Sequence, residues 1–394
     1  MIHGLFVFLL LFLCACSDVP DPLTTLPAKS VKGYESNELD KLVSTVREKY
    51  GLPALGVLIA QGGNTPLVAM NGARILDGNQ VVSESDMWFL GSTAKAMTAT
   101  LIATFVNSGE LTFESTLFEI FPEYAASFTD ETRLITVEHL LSHSAGLKPN
   151  PANDVEEMER IFGQSKDVVE QRKLVLKKAI LEKLQFLPGS DTSYSNTGYI
   201  LAGAVIDRVG GEDYEALLVQ KVFKPLNISR FGFGQPGTHL NTPDQPWGHR
   251  STFFGLEPVA PDDAQYINPP LFNPAGNLYL SLRDWAKFVQ DALSGSRGKG
   301  TLFDQALYMR LQTPADKKSG YAMGWGALLE SGMPIMLTHN GSDGNWFAEV
   351  RAYPYSNLIL LVVTNDGRED DDAKAAAADI RRDFMQHYSP YPPE

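Results

Sequence analysis

Cysteine is almost absent from this chain, and the two that occur, Cys14 and Cys16, lie within the first sixteen of its 394 residues. From Ser17 onward the chain therefore builds no disulfide framework and no thiolate metal site, and it has no cysteine nucleophile. Positive charge is also scarce. Thirty-three Lys and Arg face 47 Asp and Glu, for a formal net charge of −14 and a pI near 5.0. No basic stripe is available for phosphates, which excludes nucleic acid as a partner. No Gly-x-Ser-x-Gly turn occurs, so the strained serine elbow of α/β-hydrolase esterases is ruled out as well. What is present is a composition 44% hydrophobic and 20% charged, enough to bury one large domain or two interleaved ones. No internal repeat is visible.

The apolar run Leu5 to Leu13 is too short to stay in a bilayer as a spanning helix and suits the h-region of a secretory signal. It runs into Leu13-Cys14-Ala15-Cys16, which resembles the bacterial lipoprotein box. That resemblance implies a leader over residues 1–16 with Cys16 lipidated, a lipid bilayer as partner, and export to the periplasm or cell envelope. A leader cleaved without lipidation is the alternative. Residues 17–34 carry Pro20, Pro22 and Pro27 among Ser, Thr and Asp and read as an extended tether. A folded domain is expected over residues 35–388, with 389–394 as a tail.

Within that domain Asn37 to Lys49 has helical spacing, while Leu55 to Ala60 and Pro66 to Met70, joined by Gln61-Gly62-Gly63-Asn64, read as a β-hairpin. From Thr93 to about Ala292 the pattern is mostly helical. Ile135 to Leu147 reads as a helix closed by Gly146, with His139 and His143 spaced to share a face, either as two metal ligands or as buried, hydrogen-bonded histidines. Asp167 to Leu184 and Gly198 to Val209 are further helices. Leu226 to Pro274 is rich in Pro, Gly and Asn and reads as loop lining a cleft. Helices at Leu282 to Leu293 and Leu302 to Leu311 lead to strands at Gly320 to Gly326, Trp346 to Tyr353 and Leu358 to Thr364, then to a last helix over about Asp372 to Phe384. Strands at both ends with helices between predict an α/β (α+β) fold. One antiparallel sheet is built from the two termini and flanked by helices, with an inserted, mostly helical region and a cleft at the join.

The stretch from Trp88 to Phe105 organises the rest. An aromatic run passes through Gly91 into a small-residue helix free of Pro and Gly until Gly109, with Ser92 at its mouth. Helical residues three apart share a face, which puts Lys95 one turn above the Ser92 hydroxyl. Flanked by Ala and Met, Lys95 enters the interior, where desolvation disfavours an ammonium and makes the amine a usable base for an otherwise inert serine. The helix N-terminus offers N–H groups to an oxyanion. Read alone, the pair also fits an N-cap serine with a snorkelling lysine. Ser296-Arg297-Gly298-Lys299 has the same spacing, but in a Gly-rich loop that would bury no lysine.

Two later stretches complete the pattern: Pro188-Gly189 followed by Tyr194-Ser195-Asn196 before a helix, and His339-Asn340-Gly341-Ser342 before a strand. Tyr266-Ile267-Asn268, Tyr355-Ser356-Asn357 and Lys318-Ser319-Gly320 match the same short patterns in the wrong order or context. Ser-x-x-Lys, Tyr-x-Asn and His-x-Gly in this order resemble the serine β-lactamase and penicillin-binding-protein family, in its class C β-lactamase, D-Ala-D-Ala carboxypeptidase and esterase branch. The resemblance covers about Tyr34 to Tyr388 and includes Glu138 to Leu147 and Gly320-Tyr321-Ala322-Met323-Gly324-Trp325-Gly326. It implies Ser92 as the acylated nucleophile, with Lys95 and Tyr194 as its proton relay. It also implies Asn196 on a substrate amide or on Lys95, His339 lining the cleft, and the N–H groups of Ser92 and Ser342, beside Gly341, as the oxyanion hole. No cofactor and no metal are implied. The substrate is a small molecule or peptide, an ester or amide such as a D-amino-acid peptide. With His339 in place of the lysine of typical β-lactamases, β-lactam turnover is the second reading. A non-hydrolytic sensor of cell-wall peptide or β-lactam is the third.

Overall fold

Apolar residues dominate the strands contributed by the two ends of the chain, and these strands pair with each other. A computed structural model describes residues 33–153, 155–238, 243–316 and 318–391. Its strands are β1 (Ala54–Gln61), β2 (Leu67–Gly72), β3 (Met87–Phe89), β4 (Phe231–Phe233), β5 (Gly248–Thr252), β6 (Gly255–Val259), β7 (Leu278–Ser281), β8 (Gly326–Glu330), β9 (Met333–Ser342), β10 (Phe347–Tyr353) and β11 (Leu358–Thr364). The main sheet runs β2-β1-β11-β10-β9-β8, antiparallel throughout. The N-terminal hairpin thus joins the C-terminal strands, with Leu55 opposite Thr364 and Gln61 opposite Leu358. Two small sheets, β3-β7-β4 and β5-β6, complete the strands.

Successive strand side chains point to opposite faces, so β1 and β11 each feed two cores. Leu55, Val57, Ile59, Leu358, Leu360 and Val362 face one side, against helices α1 (Ser36–Tyr50) and α5 (Lys374–His387). Leu58, Ala60, Ile359, Leu361 and Val363 face the other, where the larger core holds α2 (Lys95–Asn107), α3 (Asn196–Gly210) and α4 (Leu282–Gly295). Helix α2 is buried from Lys95 to Ala103 without a break, so over that stretch it has no solvent face. Burial of that kind stabilises by roughly 1.5–3 kcal/mol per large aliphatic side chain. It also fixes the residue at the start of the helix against the second core.

Several expectations are corrected. The helix expected over 135–147 is only Val137–Leu141, because His143 and Gly146 adopt positive φ (59° and 73°). A Cβ on Gly146 would lie 2.2 Å from the Phe186 carbonyl oxygen, so this glycine serves a close approach and not a helix end. Segment 226–274, expected as loop, forms β4 and the β5–β6 hairpin. Gly320–Gly326 is a bend, bridged from Tyr321 to Gly326, and the strand begins where that bend ends. Strand β9 was not anticipated, and it carries the His339 motif at its end instead of leading into it. Gly33 and Tyr34 belong to the folded body. Tyr34 is buried, stacks on His387 at 3.9 Å and donates its hydroxyl to Asp383. At the other end, Tyr391 packs edge-on against Tyr353. Cys16, the leader and residues 17–32 of the tether lie outside the described residues.

Candidate active site

Strand β3 delivers the chain to Leu90, whose N–H donates to the Leu278 carbonyl of β7 at 2.9 Å. A 3₁₀ turn, Gly91–Ala94, then precedes α2, so Ser92 sits on that tight turn and Lys95 is the first residue of the α-helix. The turn is enclosed by backbone. A Cβ on Gly91 (φ 51°) would lie 2.4 Å from the Ser342 nitrogen, and one on Gly341 would lie 2.0 Å from the Leu90 oxygen and 2.8 Å from the Ser92 nitrogen. Gly276, at φ 145°, approaches the Ser92 nitrogen from the third side, 2.9 Å from where its Cβ would stand. Only glycine allows three backbone segments to converge on one serine in this way.

Lys95 is fully buried. Its ammonium nitrogen lies 2.9 Å from Ser92 Oγ and 2.8 Å from Asn196 Oδ1, and it also donates to the Ala275 carbonyl. It stands 4.9 Å from the centroid of the Tyr194 ring and 5.4 Å from that of Tyr199. Asn196 opens α3, capped by the Ser195 hydroxyl that accepts from the Gly198 N–H, and its own Nδ2 donates to Asn150 Oδ1 at 2.9 Å. The Ala275 carbonyl is held by a 3₁₀ turn, Pro270–Ala275, that Thr98 grips from one helical turn further on, donating to the Pro274 oxygen at 2.7 Å. Ser92, Tyr194, Asn196 and Ser342 are partly exposed, whereas Lys95, His143 and His339 are buried. The cluster therefore has an open rim and a buried floor.

His339 lies on β9 opposite Val350. Its Nδ1 is paired with the Asn340 carbonyl, which can only accept, so the proton sits on Nδ1. Its Nε2 then accepts from the Tyr321 hydroxyl at 3.0 Å. Burial first, and the Lys95 charge second, pull the His339 pKa down to about 3, so the ring is neutral at pH 7. His143 is also buried, 4.2 Å ring to ring from Tyr194. His139 and His143 do not share a helix face: His139 Nδ1 accepts the Thr136 N–H in a capping box, and His143 Nδ1 accepts the Ser195 N–H.

Every residue singled out in the three motifs converges here, from three separate stretches of chain. The sequence reading missed the Ala275 carbonyl, Asn150, and the roles of His143 and Tyr321. Backbone carbonyls leave no sequence signal, whereas Tyr321 stood in a recognised stretch and His143 lay in a run read as helix. The decoys fall elsewhere: Tyr355 is exposed between β10 and β11, and Tyr266 lies under the Arg250 guanidinium, 4.3 Å from ring centroid to cation. Chemically, the arrangement can move a proton from a hydroxyl to a buried amine and offer it onward past a phenol, with the backbone of Gly341 and Ser342 packed against the turn that carries the hydroxyl.

A mixed fold with a six-stranded antiparallel sheet and a serine, a lysine and a tyrosine in one crevice defines a class, the serine hydrolases that share the β-lactamase fold. The family described as Beta-lactamase matches residues 39–383, and the chain belongs to it. It is 22% identical over 337 residues to penicillin-binding protein 4 of Amycolatopsis lactamdurans, covering 82% of this chain and 83% of that protein. It is 21% identical to the flp protein of Staphylococcus aureus (strain N315), covering 83% of this chain and 62% of that longer protein. Its fold is also that of the D-amino acid amidase from Ochrobactrum anthropi SV3, with a TM-score of 0.67, 19% identity, and coverage of 89% of this chain and 98% of that one. Among the described residues no helix is long and apolar enough to cross a membrane.

Proposed function

We propose that this chain hydrolyses an ester or amide, with D-amino-acid peptides the leading class, through an acyl intermediate on Ser92. The observation that carries the reading is the 2.9 Å contact between Ser92 Oγ and a fully buried Lys95 Nζ. In the first half-reaction the free amine of Lys95 takes the Ser92 proton as Oγ bonds to the substrate carbonyl carbon. The oxyanion is met by the N–H groups of Ser92 and Ser342. Collapse breaks the bond to the leaving group, which takes the proton back from Lys95 by way of the Tyr194 hydroxyl. Water then attacks the acyl-serine, Lys95 and Tyr194 accept its proton, and the acid leaves as Ser92 is reprotonated. Asn196 holds Lys95 and faces the substrate amide from the partly exposed rim. His339, neutral and engaged through both ring nitrogens, shapes the floor and brings no permanent charge to a substrate carboxylate. That feature ranks esters and amides above β-lactams.

The test is intact mass after treatment with p-nitrophenyl acetate, a D-Ala-D-Ala peptide and a chromogenic cephalosporin, for the wild-type chain and Ser92→Ala. Transient acylation with turnover in the wild type only supports hydrolysis. Unchanged labelling of Ser92→Ala overturns it, dominant cephalosporin turnover reverses the ranking, and stable acylation without release makes the chain a sensor. We further infer that Cys16 is the lipid anchor of an exported protein. Cys16→Ser should move it from the membrane to the soluble envelope fraction, and retention in the membrane would count against the anchor.

A further inference from the structure

The loop that presents Tyr194 is gripped on both sides by one residue. The N–H of Ser193 donates to the His143 carbonyl at 2.9 Å, and the N–H of Ser195 donates to His143 Nδ1 at 3.1 Å. Between those two bonds the His143 ring lies 4.2 Å from the Tyr194 ring, and it also touches the rings of Tyr321 at 4.5 Å and Tyr199 at 5.3 Å. The residue is 2% exposed and holds φ at +59°, a conformation in which a residue with a Cβ is uncommon and which its surroundings must enforce. Since Nδ1 accepts, the proton is on Nε2, which has no hydrogen-bond partner among the described residues and is enclosed by the aromatic cluster.

We propose that His143 is a positioning residue that clamps the Tyr194 phenol over the Lys95 amine and acts through it, without touching the substrate. This rests on Tyr194 serving as the relay. The physical case is a matter of leverage. Tyr194 lies in an irregular loop between Pro188-Gly189 and α3, where no ladder of backbone bonds fixes its direction. Two hydrogen bonds to a single buried residue, one on each flank, with a ring packed between them, remove that freedom. Displacing a proton-transfer group by a fraction of an ångström is enough to slow the chemical step. Burial, and then the charge of Lys95, hold the His143 pKa well below the ordinary histidine range, so the ring keeps its accepting nitrogen through neutral pH.

The geometry also names the conservative replacement. Asparagine tolerates positive φ better than other residues with a Cβ, and its Oδ1 stands where Nδ1 does. With p-nitrophenyl acetate and the full chain, His143→Ala should lower kcat about a hundredfold while KM changes less than about twofold, the pattern of a lost transition-state interaction. His143→Asn should recover kcat to within about fivefold of wild type. Tyr194→Phe added to His143→Ala should cost far less than it does alone, because the two act as one unit. A second measurement needs no variant. ¹⁵N spectra of the wild-type imidazoles should show His143 protonated at Nε2, bare at Nδ1, and silent between about pH 5 and 8.

Full additivity of the two substitutions, an Asn variant no better than Ala when both fold, or an Nδ1-protonated or titrating ring would each overturn the clamp. If His143→Ala does not fold, the Asn variant and the imidazole spectrum still decide. Failure of Ser92 to acylate would remove the proposed reaction but leave the tautomer result standing, so the two failures can be told apart.

Discussion

Two side chains that carry positive charge, Arg172 and Lys95, are completely buried here, and they are surrounded in different ways. Arg172 meets carboxylates. It pairs in bidentate fashion with Asp207 at 2.8 and 3.0 Å and with Glu215 at 3.0 and 3.1 Å. Burial alone would lower its pKa, but the bonds and charges of Glu215 and Asp207 outweigh that and hold it above the usual value. Lys95 meets the neutral oxygens of Ser92, Asn196 and Ala275 and the faces of two tyrosine rings. A cation matched to carboxylates cannot discharge without leaving them exposed to each other in a low dielectric. A cation held by neutral acceptors can release its proton and keep its neighbours. The two regions are joined: Glu215 accepts from Asn273 at 2.7 Å, and Asn273 belongs to the same turn that aims the Ala275 carbonyl at Lys95. The charged cluster is the footing of the reactive one.

Replacing each cation by methionine should separate these roles. Lys95→Met should lower kcat/KM by about 10²–10⁴-fold, the usual contribution of a positioned acid–base group. Its stability should stay within about 2 kcal/mol of wild type, because the desolvation relieved offsets the orphaned acceptors. Activity within tenfold of wild type would erase the distinction from the catalytic side. Arg172→Met should do the reverse, losing about 3–5 kcal/mol in urea unfolding because the buried Asp207 and the partly buried Glu215 lose their counter-charge. The folded fraction should keep kcat within about tenfold. Equal stability losses for the two variants would mean that what surrounds these cations does not differ in energy.

Much of this was legible in the residues, for reasons that the two clusters illustrate. Ser92 and Lys95 announce themselves because a helix fixes their spacing and small neighbours mark burial, and the antiparallel sheet follows from apolar runs at both ends. The Arg172 cluster was not legible. Its partners sit 35 and 43 residues away on other helices, and nothing in the spacing of the 167–184 helix marks its arginine for burial. Strand β9 was hidden because His339, Asn340, Gly341 and Ser342 read as a turn. Pairing with β10 makes them strand, as a continuation of the stretch up to Thr338 that also pairs with β8, which is a tertiary effect on a locally weak sequence. His143 was misread for the opposite reason. The local pattern is helical, and the chain leaves the helix at Leu141 to reach around Tyr194.

Acid offers the finest test of the contrast. His339, pulled down to about 3, and His143, pulled well below its ordinary value, share burial as the main cause and the Lys95 charge as the next. Their unfolded counterparts take up protons near pH 6.5 and the folded rings do not, so the stability they contribute is complete above about 6.5 and drains away as pH falls toward 3. His249, lowered to about 4 mainly by burial, has the same sign. Asp343, pushed up to about 6 by burial, has the opposite sign: its contribution is complete below its ordinary range and is lost as pH rises through 6, so it cancels part of one histidine. Arg172 does not titrate in this window. The unfolding free energy should therefore fall between pH 7 and 5. His339→Gln should make that slope shallower by up to one proton, about 1.4 kcal/mol per pH unit. Urea titrations at pH 5, 6 and 7 in constant salt would show it. An unchanged slope in His339→Gln would mean that this histidine is not held neutral beside Lys95, and the picture of a reactive amine among uncharged neighbours would lose its main support.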